Sequence, residues 1–270
     1  MLDLPGSASV RRLTADEKRQ FSELGYVSRM PLFDASAVTR LQHRFHELVR
    51  LLPPDVDISG VNNWHKANRW VYDLCHTPAI LDYVEDLLGP NFFHWAASFF
   101  CKHPGDSTEV PWHQDAQYWP LHPHKSVTVW LAFFDADEAN GAMCVVPGSH
   151  RQGELAHQVV EGEHYMLSQQ VVDSAFDRDK VVSLNLQAGE ISLHNDALIH
   201  GSPANPSDRM RAGLTMRYSP TDVECDLSVW PTFESYLARG VDDYQPNPVG
   251  TIPQENGFPI RPLQASAQFM

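Results

Sequence analysis

In the stretch Pro111-Trp-His-Gln-Asp-Ala-Gln-Tyr-Trp-Pro120, His113 and Asp115 lie two residues apart. Side chains alternate between faces on an extended backbone, so both would project to the same side. An imidazole and a carboxylate converging on one point, joined by a second imidazole, make the 2-His-1-carboxylate set that holds Fe(II) with adjacent positions open. A chain with 14 histidines offers several such pairs, so context decides. The second imidazole must come from a strand able to face the first pair. His200 qualifies, at the end of Leu193-His-Asn-Asp-Ala-Leu-Ile-His200 and ahead of the Pro-rich Gly201-Ser-Pro-Ala-Asn-Pro206. Further on, Arg211 opens the run Arg211-Ala-Gly-Leu-Thr-Met-Arg-Tyr218. A guanidinium grips a carboxylate in a bidentate fork. A fixed cation near a metal therefore fits a dicarboxylate co-substrate, whereas a bare metal site has no need of one.

Other arrangements compete. His194-Asn-Asp196 repeats the His-x-Asp spacing, but with His200 so close one segment would have to supply all three ligands. His122 and His124 flank Pro123 in what reads as a solvated loop. Ser149-His150-Arg151 lacks any oxyanion motif and reads as a turn.

The elements that must position these residues follow a simple order. Thr14-Ala-Asp-Glu17 is a capping box, and Gly25 is placed to end the helix it opens. A second helix begins near Asp34, with Val38, Leu41, Phe45, Leu48 and Leu52 on one stripe, and Pro53-Pro54 stops it. Thr77-Pro78 starts a third, carrying Ile80, Leu81, Val84, Leu87 and Leu88 as far as Gly89-Pro90. From Asn91 onward the chain becomes short β-branched and aromatic runs: 92–95, 96–102, 127–134, 143–146, 181–186, 191–193 and 212–218. Turn signals such as Asn140-Gly141, Pro147-Gly148 and Ala188-Gly189 separate them, which predicts an antiparallel barrel or jelly roll. Helices followed by strands is the α+β order. It predicts one domain over 1–270: a helical layer at about 14–89, a jelly-roll core at about 90–220, and an irregular tail over 221–270. Trp230 to Leu237 reads as a short helix, and the Pro-rich remainder as a surface wrap or partner contact.

Composition excludes several classes. The net charge of -14 with no basic block argues against nucleic acid or an anionic membrane as partner. No apolar run is long enough to span a bilayer, and Met1 to Thr14 lacks the apolar stretch of a signal peptide. Cys75, Cys101, Cys144 and Cys225 are scattered, with no Cys-x-x-Cys, and read as free thiols in a reducing cytoplasm.

With these residues assembled, the chain resembles the phytanoyl-CoA dioxygenase family of Fe(II)/2-oxoglutarate oxygenases over about residues 90–220. The likeness rests on four stretches: His113-Gln-Asp115, Asn140-Gly-Ala-Met-Cys-Val-Val-Pro-Gly-Ser-His150, His200-Gly-Ser202, and Asn205 through Arg211. It implies a double-stranded β-helix, a cupin-like jelly roll, with the N-terminal helices packed outside. It implies that His113, Asp115 and His200 hold Fe(II), and that Arg211 binds the distal carboxylate of 2-oxoglutarate with Ser202 beside it. Lys102 and Trp130 would line the co-substrate pocket. Glu190 after Gly189 departs from the expected Asp, at a turn. Oxidative decarboxylation of 2-oxoglutarate by O2 would give succinate, CO2 and the oxidant for an unactivated C–H. Related halogenases carry Ala or Gly where this chain has Asp115, so the intact carboxylate implies hydroxylation.

The substrate is the thinner reading. Tyr118 and Trp119 directly follow the metal pair and could wall its pocket. Asn62-Asn-Trp-His-Lys66-Ala-Asn-Arg69-Trp70, in an apparent loop, offers Lys66 and Arg69 for an acidic group and aromatic faces for an ammonium. That mixture suits a small zwitterion such as an aminophosphonate or a quaternary-ammonium metabolite. An acyl-CoA, lipid or natural product hydroxylated by the same chemistry is the alternative, and a non-catalytic metal-binding sensor or scaffold is a second. A monomer or homodimer is expected.

Overall fold

The structure is a computed structural model and describes residues 11–259 except 163. Helix α1 (Ala15–Leu24) opens on the capping box. The Thr14 hydroxyl accepts the Glu17 N–H at 3.2 Å, and the Glu17 carboxylate accepts the Thr14 N–H at 2.8 Å. Strand β1 (Tyr26–Pro31) follows. Helix α2 (Ala35–Leu51) is capped by Asp34, which accepts the Ala37 N–H at 2.8 Å, and it buries Ala37, Leu41, Phe45 and Leu48. A short helix α3 (Arg69–Cys75) and then α4 (Pro78–Leu88) complete the helical layer.

The rest is strand and turn. In order come β2 (Phe92–Lys102), β3 (Val110–His113), β4 (Leu121–His122), β5 (Val127–Ala132), β6 (Cys144–Val145), β7 (His157–Val159) and β8 (Gln169–Val171). After these come β9 (Val182–Ser183), β10 (Glu190–Asn195), β11 (His200–Ser202), β12 (Arg211–Pro220), β13 (Glu224–Cys225) and β14 (Tyr236–Arg239). Two antiparallel sheets carry the architecture, ordered β1-β10-β5-β12-β2-β14 and β3-β11-β6-β9. This is the expected mixed jelly roll with its helices outside.

Alternation along the strands of the large sheet sorts their side chains. Ala212, Leu214, Met216 and Tyr218 of β12, Val127, Val129 and Leu131 of β5, and Ile191 and Leu193 of β10 share one core cluster with Leu41, Phe45 and Leu48 of α2 and with Ile80 and Val84 of α4. The opposite face carries Arg211, Thr215 and Arg217, Thr128 and Trp130, and His194, all lining a cavity that residues of the smaller sheet also line. That inward face is the floor of the site.

Four local readings differ. The runs 92–95 and 96–102 form one strand, with a register shift opposite Arg217/Tyr218 that turns both Trp95 and Ala96 to the same cluster. The stretch 62–70 is not a plain loop: a 3-10 turn (Trp64–Lys66) leads into α3, whose first N–H groups are satisfied by Glu255 and Asn256. Strand β1 stood outside the expected elements. The helix expected at 230–237 is absent; turns there deliver Tyr236–Arg239 to the edge of β2, where pairing with Phe92 to His94 outweighs local propensity. Residues 255–257 of the tail hydrogen-bond to Ala67, Asn68, Arg69 and Trp70, and beyond 259 the tail lies outside the described residues.

Candidate active site

His113 ends β3, and Gln114 continues the extended backbone (φ -107, ψ 130) before a 3-10 turn begins at Asp115. Alternation therefore holds across the triplet. His113 and Asp115 point inward, while Gln114 points the other way and anchors the segment. Its amide donates to Gly153 O at 2.9 Å and to Ala197 O at 2.7 Å, and its carbonyl accepts the Leu155 N–H at 2.9 Å. His200 begins β11 directly opposite His113 in the sheet register.

One ligand atom from each of His113, Asp115 and His200 falls within 4.8 Å of the others, and all three residues are buried. His113 Nε2 lies 3.7 Å from Asp115 Oδ1, and His200 Nε2 lies 4.0 Å from it. His113 Nδ1 is 2.8 Å from Pro111 O, and His200 Nδ1 is 2.9 Å from Leu198 O. Carbonyl oxygens only accept, so each Nδ1 carries a proton and each Nε2 is the ring atom turned toward Asp115. Burial, with His113 beside it, holds the His200 imidazole well below its ordinary range and hence neutral. Burial works against the Asp115 charge, but His113 and His194, with His200 and Arg217, outweigh it and hold the carboxyl well below the usual carboxylate range. Thr128 Oγ1 donates to Asp115 Oδ2 at 3.2 Å and fixes its rotation. Two imidazoles, one carboxylate and no thiolate form a donor set that fits Fe(II).

Arg211 lines the same cavity, 3% exposed. Its guanidinium lies 5.3 Å from the centre of the Trp130 ring and donates a long 3.4 Å hydrogen bond to Phe100 O, while its Nε has no partner. It makes no ion pair among the described residues. Burial pushes its pKa down to about 10. Gly213 is required beside it: a Cβ there would stand 2.2 Å from Trp130. Ser202 also lines the cavity, its buried Oγ unpartnered and free to donate. Lys102, by contrast, turns into the wall. Its ammonium donates to Ser202 O at 3.1 Å and to Pro203 O, and burial, with Arg211 nearby, pushes it down to about 7. Asn205 holds that wall together, donating to Lys102 O, His103 O and Arg209 O.

Tyr118 and Trp119 line an adjoining space with Asn62, Phe100, Leu167 and Arg217, which shares His113 and Asp115 with the first. Lys66 and Arg69 are not brought to either. Lys66 pairs with Glu234 at 3.1 Å and donates to Thr232 O, and Arg69 pairs with Asp73 at 2.8 Å. Both charges are met by nearby carboxylates, and Lys66 borders a separate space with Trp95, Trp230 and Glu234.

The competing sets do not assemble. His194 does face the cavity, 3.6 Å from Asp115 Oδ2. Asp196 instead accepts the Ser126 N–H at 2.8 Å, and burial pushes its carboxyl up to about 7. His124 pairs with Glu154. Ser149 caps the Ile199 N–H in a 3-10 turn (Ser149–Gln152). Thr128 and Arg217, which line the cavity, were not singled out from the sequence, and His194 was weighed only as a rival ligand. Arg217 had a signal, since it shares the parity of Arg211 on one strand.

A jelly roll that gathers divalent-metal donors and an unpaired buried guanidinium between its two sheets is the architecture of the Fe(II)/2-oxoglutarate oxygenases, and this chain is an enzyme of that class. Residues 21–213 match the family model described as phytanoyl-CoA dioxygenase (PhyH), and the chain belongs to that family. The peroxisomal phytanoyl-CoA dioxygenase of Mus musculus is 23% identical over 254 residues, 85% of this chain and 75% of the mouse protein. A probable alpha-ketoglutarate-dependent hypophosphite dioxygenase of Stutzerimonas stutzeri is 30% identical over 176 residues, 63% of this chain and 58% of that one. Among solved structures, the apo form of ThoJ, a non-heme monooxygenase, superposes with a TM-score of 0.73 at 26% identity, covering 89% of this chain and 90% of that chain. No helix among the described residues is long and apolar enough to cross a membrane.

Proposed function

We propose that this enzyme hydroxylates an unactivated C–H of a small metabolite, with zwitterions such as aminophosphonates and quaternary-ammonium acids as the first compounds to test. His113, Asp115 and His200 hold Fe(II); Arg211 takes the distal carboxylate of 2-oxoglutarate and Ser202 Oγ donates to it. The observation that carries this reading is the unpaired Arg211 guanidinium in the same buried cavity as three converging donors. When bound, the iron and 2-oxoglutarate together turn O2 into an oxidant able to take hydrogen from carbon. The chain's own part is positional. Pro111 O and Leu198 O keep each imidazole proton on Nδ1, Thr128 fixes the carboxylate, and Phe100, Val110, Met143 and Trp130 keep water from the reacting carbon.

Two spaces meet at the donors and share Phe100, His113, Asp115 and Arg217, the kind of concave, mostly apolar setting with a few polar groups that takes small molecules. Lys66 and Arg69 are paired with carboxylates away from it, and the lining of the two spaces carries no cluster of basic residues for the several phosphates of a coenzyme A nucleotide. We therefore rank a small metabolite above an acyl-CoA. We also read the chain as one domain working in the cytosol, on its unpaired cysteines and continuous core, as a monomer or homodimer. The test is succinate release or O2 uptake by purified protein with Fe(II), ascorbate and 2-oxoglutarate, screened against small acids, zwitterions and acyl-CoA esters. Stimulation by the acyl-CoA esters alone would overturn the substrate class.

A further inference from the structure

Arg217 is the cation the co-substrate reading leaves unused. It sits on β12 with the parity of Arg211, six residues on, so about 20 Å of strand separates the two Cα atoms. It is 7% exposed. Its guanidinium lies 4.9 Å from the Trp119 ring centre and 5.9 Å from that of Trp95. Its Nε is buried without a hydrogen-bond partner, and it forms no ion pair among the described residues. Asp115 is the nearest acid to feel its charge, but the Asp115 oxygens already face His113, His200, Thr128 and His194. Arg217 also borders both spaces, whereas Arg211 borders only the first.

The charges do not balance without a further anion. Among the groups that line the two spaces, Arg211 and Arg217 bring two positive charges and Asp115 one negative. Fe(II) adds two positive and 2-oxoglutarate two negative. One positive charge remains, in a setting where an unpaired buried charge is costly. The wall around it is apolar and aromatic: Phe100, Tyr118, Trp119 and Leu167, with the Asn62 amide on the same side. Both indole faces nearest Arg217 are already taken by its own guanidinium, so they are not free for a ligand's ammonium.

We propose that Arg217 receives the acidic group of the substrate, a carboxylate or phosphonate, at the end of the cavity away from Arg211. This rests on the co-substrate assignment above. Two guanidiniums on one strand face would then hold the two anions on either side of the metal donors. The substrate's acid end is fixed and a carbon a few bonds from it is offered for oxidation.

The test uses the Fe(II)-loaded protein with saturating 2-oxoglutarate under nitrogen, followed by thermal melting. Methylphosphonate, propionate and tetramethylammonium are the probes. An anion at a hundredfold its half-saturating concentration should raise the melting temperature by roughly 5 °C or more. Whether methylphosphonate or propionate acts at lower concentration identifies the acid. Arg217→Gln should raise the anion's half-saturating concentration at least about tenfold while 2-oxoglutarate still raises the melting temperature. Arg217→Lys, which keeps the charge and tolerates the same site, should lose less. Equal anion responses in wild type and Arg217→Gln, or a response to tetramethylammonium alone, would overturn the proposal. Loss of the 2-oxoglutarate shift with the anion shift retained would strike the Arg211 assignment and leave this one standing.

Discussion

Replacing Arg211 with methionine should move two quantities in opposite directions. In the ligand-free protein the guanidinium is buried with no carboxylate to meet it, and burial pushes it down to about 10. That is roughly two to three powers of ten below its ordinary proton affinity, so holding the charge costs about 3 kcal/mol. Methionine fills much of the same space without charge. The loss of stacking on Trp130, 5.3 Å away, removes about 0.5–2 kcal/mol of stabilisation. The net expectation is a gain of roughly 1–2 kcal/mol, or a melting temperature a few degrees higher. Binding should go the other way. A 2-oxoglutarate carboxylate in that cavity would be a buried charge without its partner, at a cost of about 3–5 kcal/mol, a hundredfold or more in affinity. Calorimetric melting with and without 2-oxoglutarate reads both effects in one series. A variant that melts below wild type without ligand, and still gains from 2-oxoglutarate, would refute the reasoning.

The other predictions address the metal, the wall and acid stability. His113→Ala or His200→Ala should reduce iron retained after desalting at least tenfold while the melting profile stays cooperative, since neither residue belongs to a hydrophobic cluster; iron stoichiometry at the wild-type level would remove the residue from the ligand set. Gly213→Ala should drive a methyl into Trp130, 2.2 Å from its nearest ring atom, and raise the 2-oxoglutarate KM by about tenfold with iron content unchanged; wild-type kinetics would show that Trp130 does not shape that pocket. His65 and His94, both fully buried, are held well below their ordinary values by burial and by neighbouring cationic groups. Unfolded, they bind protons near pH 6.5, so the stability that depends on their neutral forms is complete above that pH and is lost as the pH falls toward their folded values. The loss is up to about 1.4 kcal/mol per residue per pH unit. Urea midpoints at pH 7.5, 6.5 and 5.5 should fall, less steeply in His65→Gln; a flat profile would dismiss the idea.

Local signals carried the most secure readings. The Thr14 capping box, the α2 stripe and Pro78 each act within a few residues, and each helix stands where those signals put it. His113 and Asp115 were legible because alternation is a property of the backbone itself, and Gln114 stays extended long enough to preserve it. What escaped depends on distant partners. Strand β1 contains Arg29 at φ 58 and owes its register to β10. Tyr236 to Arg239 became a strand because the edge of β2 was free to pair. Lys66 and Arg69 looked available because nothing in the linear chain announces Glu234 or Asp73 as their partners. Arg217 needed only the alternation already applied to His113 and Asp115, carried along the strand that Arg211 opens.

The tie between the tail and α3 bears on the timing of folding. The Arg69 N–H donates to Glu255 O at 2.8 Å and the Trp70 N–H to Asn256 Oδ1 at 2.8 Å, while Asn68 Nδ2 donates to Gly257 O at 2.8 Å and the Gly257 N–H to Ala67 O at 2.9 Å across the same seam. Helix starts need partners for their first amides, and here those partners arrive almost two hundred residues later. A ribosome delivering the chain from its N-terminus leaves the opening turn of α3 without these partners until residues 255–257 have been made. This seam closes one of the longest loops in the molecule, and closing it is entropically late. The opening turn of α3 is thus a checkpoint for synthesis: its protection from hydrogen exchange reports that residues 255–257 have arrived and docked.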